Sequence, residues 1–206
     1  MYYLSKRILD VLLSATGLVL CAPLLLVVGI LIKLDSPGPA LYTQKRLKKD
    51  GKEFPIIKFR TMLINAEEIL RSNPILWQEY QKEFKIKNDP RVTRIGNFLR
   101  KSSIDELPQL INILKGEMSI VGPRAYRQEE IEHQMKTYPM LADRIKFALT
   151  IKPGLTGVWQ VSGRSNVSFE ERIDMDYKYA KKKSALYDLY LIILTVPAVL
   201  KTRGAW

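Results

Sequence analysis

The sequence predicts an α/β protein, predominantly helical, with a membrane-embedded segment at residues 1–35 followed by one small domain at 36–206. Three observations point there. From Val11 to Ile32 the chain reads VLLSATGLVLCAPLLLVVGILI, without a charge. Farther on, Leu107, Leu110, Ile111 and Leu114 recur at helical spacing. Between them, stretches rich in β-formers flank KDGK at 49–52, a hairpin signal. No repeat or low-complexity tract divides the 206 residues.

The apolar run is long enough for a bilayer core, which takes about 20 helical residues. It is too long for a signal peptide, and Lys33-Leu34-Asp35 does not resemble a small-residue cleavage site. Pro23, in its middle, cannot donate to the carbonyl of Val19, which kinks or breaks the helix. Lys6 and Arg7 precede the run, and Lys33, Lys45, Arg46, Lys48 and Lys49 follow it. Basic flanks on both sides cannot choose an orientation. Hydropathy alone favours a simple span. A helix that enters, breaks at Pro23 and returns would instead keep both flanks in the cytoplasm.

DSPGPALYTQKR (35–46) predicts a turn and then an extended stretch through Leu41, Tyr42 and Thr43, with EFPIIKFRTM (53–62) as the return strand. Helices are expected over 65–70, 75–84 and 103–115, with a turn at Asn88-Asp89-Pro90 and a stop at Gly116. IKPGLTGVWQVSGR (151–164) reads as a loop with a short strand. Phe169, Ile173, Tyr177 and Ala180 mark one face of a later helix, with Lys181–Lys183 at its C-terminal end, where the dipole favours cations. The final stretch is apolar, carries Tyr187, Tyr190 and Trp206, and is interrupted by Asp188 and Pro197. It reads as an amphipathic helix lying in the membrane interface.

With 33 Lys and Arg against 21 Asp and Glu, a formal charge of +12 calls for a polyanionic partner. Nucleic acid is disfavoured, because the cations are dispersed among acids and no recognition motif occurs. Membrane lipid and a phosphorylated substrate remain. The lone Cys21 excludes an internal disulfide framework and fits a reducing compartment. The lone His133 leaves no zinc constellation.

KSSIDELPQL (101–110) sets Asp105 beside Glu106 amid basic residues. One reading is a capping box, with Glu106 reaching back to Ser103. Pro108 opposes it: a helix begun at Ser103 places that proline beyond the first turn, whereas one begun at Asp105 tolerates it. Both carboxylates would then stand at the positive end of a helix dipole, which favours the ionised form. With Arg100, Lys101 and Arg124 close in sequence, such a carboxylate suits phosphoryl transfer. A divalent ion held by carboxylate and substrate phosphates would complete the site.

FLRKSSIDELPQLINILKGEMSIVGPR (98–124) resembles the bacterial sugar transferases, the monotopic polyprenyl-phosphate phosphoglycosyl transferases. The likeness extends to the proline-broken apolar segment, KFRTM (58–62), NDPRVTRIGNFLRK (88–101), KPGLTGVWQVSGR (152–164) and DMDYKYAKKKS (174–184). It implies transfer of a sugar-1-phosphate from a UDP-sugar to undecaprenyl phosphate, releasing UMP, as a first membrane step of exopolysaccharide, lipopolysaccharide or other glycoconjugate synthesis. In that scheme Asp105 is the nucleophile and a ligand to Mg²⁺, and Glu106 is the assisting acid. Lys58, Arg60, Arg100, Arg124 and Arg164 are the substrate-binding cations.

The resemblance further implies a re-entrant helix broken at Pro23 in the bacterial inner membrane, with the catalytic domain on its cytoplasmic face. Its expected partners are the lipid acceptor, downstream glycosyltransferases and, in some members, further copies of the chain. Ala125 replaces the second proline of a Pro-Arg-Pro turn, Ala22 stands in place of serine before Pro23, and Lys48 falls where glycine is often found. The rival from another class is a membrane-tethered basic binding or scaffold module without catalysis.

Overall fold

The computed structural model describes residues 2–84 and 86–200, apart from the side chains of Lys82, Glu83 and Ser165. Trp206, expected in the interfacial segment, lies outside the described residues. Helix α1 (Tyr2–Asp35) is long and apolar enough to cross a membrane. It runs through Pro23 as one continuous helix, so the expected two-helix break is not made. Val19 and Pro23 are both exposed, so the one bond that proline removes falls away from the packed side.

Asp10, Ser14, Leu18, Leu25, Val28 and Ile32 form an inward stripe along the whole of α1. Leu18 packs with Phe54, Leu110, Ile113 and Met118, while Val28 and Ile32 pack with Phe59 and Leu99. The opposite face, including Leu4, Ile8, Leu12, Leu20, Leu26, Ile30 and Leu34, is exposed and apolar. Polar bonds fasten both ends to the same domain. Arg7 donates to the carbonyls of Ile113 and Leu114 at 2.6 and 2.7 Å. Asp10 accepts from the Ser119 hydroxyl and the Ile120 amide, each at 2.9 Å. At the far end Asp35 accepts from the Ile95 amide at 3.2 Å.

Strands β1 (Leu41–Leu47) and β2 (Glu53–Phe59) form the expected antiparallel hairpin, closed by Asp50 and Gly51 at φ 62° and 71°. Two consecutive left-handed residues give the twist a tight hairpin requires. Helices α2 (Ala66–Ser72) and α3 (Pro74–Glu83) follow, the second capped by Asn73 with Pro74 in its first turn. Helix α4 (Arg94–Ser102), capped by Thr93, falls in a stretch expected only as a motif. It lies so close to the chain leaving β2 that a Cβ on Gly96 would stand 2.0 Å from the Thr61 carbonyl oxygen.

The single helix expected over 103–115 is two pieces: a 3-10 stretch, Ile104–Gln109, and α5 (Leu110–Lys115), which ends at Gly116 with φ 81°. Ser103, at φ 59°, terminates α4 and makes no side-chain cap. Strand β3 (Ser119–Val121) pairs in parallel with β4 (Gly154–Thr156). Between them lie α6 (Gln128–Thr137) and α7 (Ala142–Ala148), in a stretch for which the sequence predicts no element. Helix α8 (Val158–Ser162) occupies the expected loop. Helix α9 (Phe169–Lys182) starts with a Ser168–Glu171 capping box, and α10 (Ala185–Leu200) ends the described chain.

Helix α10 buries Asp188 and Leu191 and exposes Leu186, Leu189, Tyr190, Ile193, Val196 and Leu200, an apolar outer face like that of α1. Asp188 accepts from Lys6 at 2.7 Å, Tyr179 at 2.6 Å and Tyr2 at 3.1 Å. Removing one member of a buried pair strands the other, so Asp188→Ala is expected to cost about 3–5 kcal/mol. Asp188→Asn, which retains an acceptor, should cost less. Chemical denaturation in detergent micelles measures both, and equal losses would contradict the ion-pair account.

Candidate active site

The 3-10 stretch carries Asp105 and Glu106 against β2, which supplies Lys58. Lys58 Nζ donates to Glu106 Oε1 at 2.5 Å, leaving Ser103 without the reciprocal contact of a capping box. The capping explanation therefore fails. Burial alone would raise Glu106, but Lys58, Arg124 and Arg164 outweigh it and hold the carboxyl below its ordinary value. Asp105 is 9 % exposed, and among the described residues no cation pairs with it directly. Burial, with the Glu106 charge beside it, pushes Asp105 up to about 6, against a smaller pull from Lys58 and Arg100. The ionised form expected from a helix dipole is thus disfavoured here, because desolvation prevails at a six-residue 3-10 stretch.

The expected cations divide into two groups. Lys58 and Arg124 line a polar cleft with Glu106. Arg164, bonded to the Ser103 hydroxyl, and Arg100, 3.0 Å from the Thr61 hydroxyl, flank the acidic stretch. Arg60 is the exception. It is buried, and its guanidinium donates to the Ser36 and Pro37 carbonyls at 2.6 and 2.8 Å. It fastens the turn after α1 and is not directed at the acids.

Arg46, Gln109, Trp159 and Gln160, also in the cleft wall, were missed. Arg46 belongs to a strand and looked like a membrane flank; Trp159 lies on the unassigned α8. Arg124 and Arg172 each lie 5.1 Å from the Trp159 ring centre, in cation–π contact. Buried Glu130 is held below its ordinary value: burial opposes ionisation, but Arg124, Arg46 and Arg127 outweigh it. The turn at Pro123-Arg124-Ala125 stays fixed without a second proline. Asp176 accepts from the Arg124 amide at 3.2 Å and the Tyr126 hydroxyl at 2.8 Å, while Arg46 donates to the Ala125 carbonyl at 3.0 Å.

Among the described residues, no cluster of three or more His, Cys, Asp or Glu could enclose a metal. Mg²⁺ commonly uses one or two carboxylates and completes its shell with water and substrate phosphates. The donor set here fits that mode. Asp105, buried without a direct counterion among the described residues, is the ligand a cation would most stabilise, with Glu106 adjacent.

A carboxylate beside a cation-lined cleft, on a domain with two outward apolar helices, defines a membrane-associated site suited to a phosphorylated substrate. The sequence model of the family described as bacterial sugar transferase matches residues 1–202. The chain belongs to that family. It is 42% identical over 207 residues to the exopolysaccharide production protein ExoY of Sinorhizobium fredii, covering 98% of this chain and 88% of the relative. It is 40% identical over 205 residues to the undecaprenyl-phosphate galactose phosphotransferase of Salmonella typhimurium, covering 98% of this chain and 41% of that protein. Identity to the UDP-glucose:undecaprenyl-phosphate glucose-1-phosphate transferase of Escherichia coli is 37% over 198 residues, covering 94% of this chain and 39% of that protein. The chain thus spans less than half of the latter two.

Proposed function

We propose that the chain transfers a sugar-1-phosphate from a UDP-sugar to undecaprenyl phosphate, giving the polyprenyl-diphosphate sugar and UMP. The observation carrying this is the buried Asp105, with no direct counterion among the described residues, next to a cleft lined by Arg46, Lys58 and Arg124. Two relatives are named for galactose and glucose-1-phosphate transfer to the same lipid, and ExoY for exopolysaccharide production.

Asp105 Oδ attacks the β-phosphorus, the bond to the bridging oxygen breaks, and UMP leaves with the electron pair. The resulting acyl phosphate is attacked by a phosphate oxygen of the lipid acceptor, which restores the Asp105 carboxylate. Arg46 and Arg124 hold the anionic donor, while Lys58 keeps Glu106 ionised beside the reacting centre. Mg²⁺, when bound by Asp105 and the substrate phosphates, supplies charge neutralisation.

Residues 1–35 are proposed to lie embedded in one leaflet of the bacterial inner membrane without crossing it, with 36–206 on the cytoplasmic face. The bonds from Arg7 and Asp10 at one end of α1, and from Asp35 at the other, all to one domain, support this. A perpendicular span would separate those ends by the hydrocarbon core, about 30 Å.

The test is UMP release from a panel of UDP-sugars by the purified chain with Mg²⁺, with and without undecaprenyl phosphate. Sustained release that requires the lipid and prefers one or two sugars is expected. Sustained release without acceptor would mark a hydrolase, and no release with any sugar would favour the binding module.

A further inference from the structure

A second cavity, of about 300 Å³, lies under the N-terminal turns of α1, between the loop before β4 and the end of α9. It shares no lining residue with the acidic cleft. Its wall holds five cationic side chains, Lys6, Arg7, Lys49, Lys152 and Lys183, against one carboxylate, Asp10. Asp10 is already committed to Ser119 and Ile120.

Lys6, Arg7 and Lys183 also have partners within the protein, in Asp188, the end of α5 and the Ala180 carbonyl. Lys152 differs. Among the described residues no acceptor bonds to its ammonium group, yet that group and the Arg7 guanidinium both border one point beside Gly116. The position a Cβ would take on Gly116 lies 3.5 Å from Lys152 Nζ and 3.7 Å from Arg7 Cζ. Burial, and then Arg7 with a smaller share from Lys49 and Lys48, lower the Lys152 ammonium below its ordinary value, against Asp10. Converging like charges around open space are stabilised by an anion placed between them.

The rim identifies the kind of anion. Tyr2 and Tyr3 stand at the mouth, with Tyr3 and its neighbour Leu4 exposed by 66% and 70%. The exposed apolar face of α1 continues from there. Aromatic residues at such a junction sit at headgroup level in a bilayer. We propose that this cavity binds the phosphate headgroup of an anionic phospholipid, whose acyl chains lie along the outer face of α1. The lipid portion rests on the membrane disposition proposed for α1; it does not depend on the transfer reaction.

The test titrates the full chain in detergent by calorimetry with dioctanoyl-phosphatidylglycerol, dioctanoyl-phosphatidylcholine or inorganic phosphate, without sugar donor. One saturable phosphatidylglycerol site is expected, and none for phosphatidylcholine. Lys152→Gln should weaken it by about tenfold or more, near 1.4 kcal/mol. Lys152→Arg should retain it, and Lys136→Gln, which removes an exposed charge elsewhere, should leave it unchanged. Equal weakening by Lys152→Gln and Lys136→Gln would reduce the effect to diffuse surface charge and overturn the site. Inorganic phosphate binding as tightly as the lipid would assign a free-phosphate site and overturn the lipid portion. Absence of saturable binding would overturn both.

Discussion

Asp105→Asn is expected to lower UMP release by ~10³-fold or more while making the protein more heat-stable. The loss follows from removing a carboxylate nucleophile with an amide of nearly the same shape. The gain follows from linkage. Asp105 is raised from its ordinary 3.8 to about 6 in the folded chain, so the folded state binds this proton more tightly than the unfolded state. Its contribution is therefore favourable below pH 4 and is lost as pH rises through about 6. At neutral pH the buried charge costs at most about 3 kcal/mol. Asparagine removes that cost, raising Tm by several degrees for a chain of this size. Thermal unfolding at pH 4.5 and 7.5, in chelator, should show the larger gap at 7.5. A variant that is inactive and also less stable at both pH values would mean that the asparagine had damaged the fold.

Lys58→Met carries the second largest effect, a fall in UMP release of ~10²-fold, within the range for losing one electrostatic stabiliser. Lys58 both neutralises Glu106 at 2.5 Å and lowers Asp105. Its removal leaves the adjoining acids with a higher affinity for protons as a pair, so the acid limb of the pH–rate profile should move to higher pH. Lys58→Arg, which restores the charge, should return the limb toward its original position. A uniform loss across pH, with no movement of the limb, would make Lys58 merely structural.

Local chemistry made part of this fold legible. Asp50-Gly51 can adopt consecutive left-handed conformations, so the β1–β2 hairpin declared itself. The stripe of α9 and its terminal lysines did likewise. Helices α4, α6 and α7 were harder, because their polar faces dilute the apolar period and tertiary packing completes it. The 103–115 segment misled for a specific reason: its leucines keep helical spacing, but Ser103 turns left-handed and Pro108 accepts a 3-10 stretch.

Asp105 and Glu106 stood out as adjacent acids in a basic chain. The cation that pairs with Glu106 is Lys58 of β2. Arg100 and Arg124, cations named by the charge argument, act on the pair without a direct bond among the described residues. Arg60 could not be sorted from Lys58 by sequence. The two lie two residues apart on KFRTM, yet one pairs with Glu106 and the other is bonded to the turn at Ser36 and Pro37. Glu130 gave no signal at all. Its significance comes from Arg46 and Arg172, far away in sequence, joining the nearby Arg124 and Arg127 around it, and sequence spacing does not encode the distant pair.

The inward stripe of α1 gives the bilayer a mechanical part in the chemistry. Gly17 and Leu18 press on Leu110, the residue immediately after the turn that carries the acids. Deleting the helix to obtain a soluble domain would strip one wall from the hydrophobic core and loosen that turn. A change in membrane thickness that tilts α1 would push on the same turn through Leu110. Reaction rate should therefore vary with acyl-chain length even when donor and acceptor concentrations are held constant.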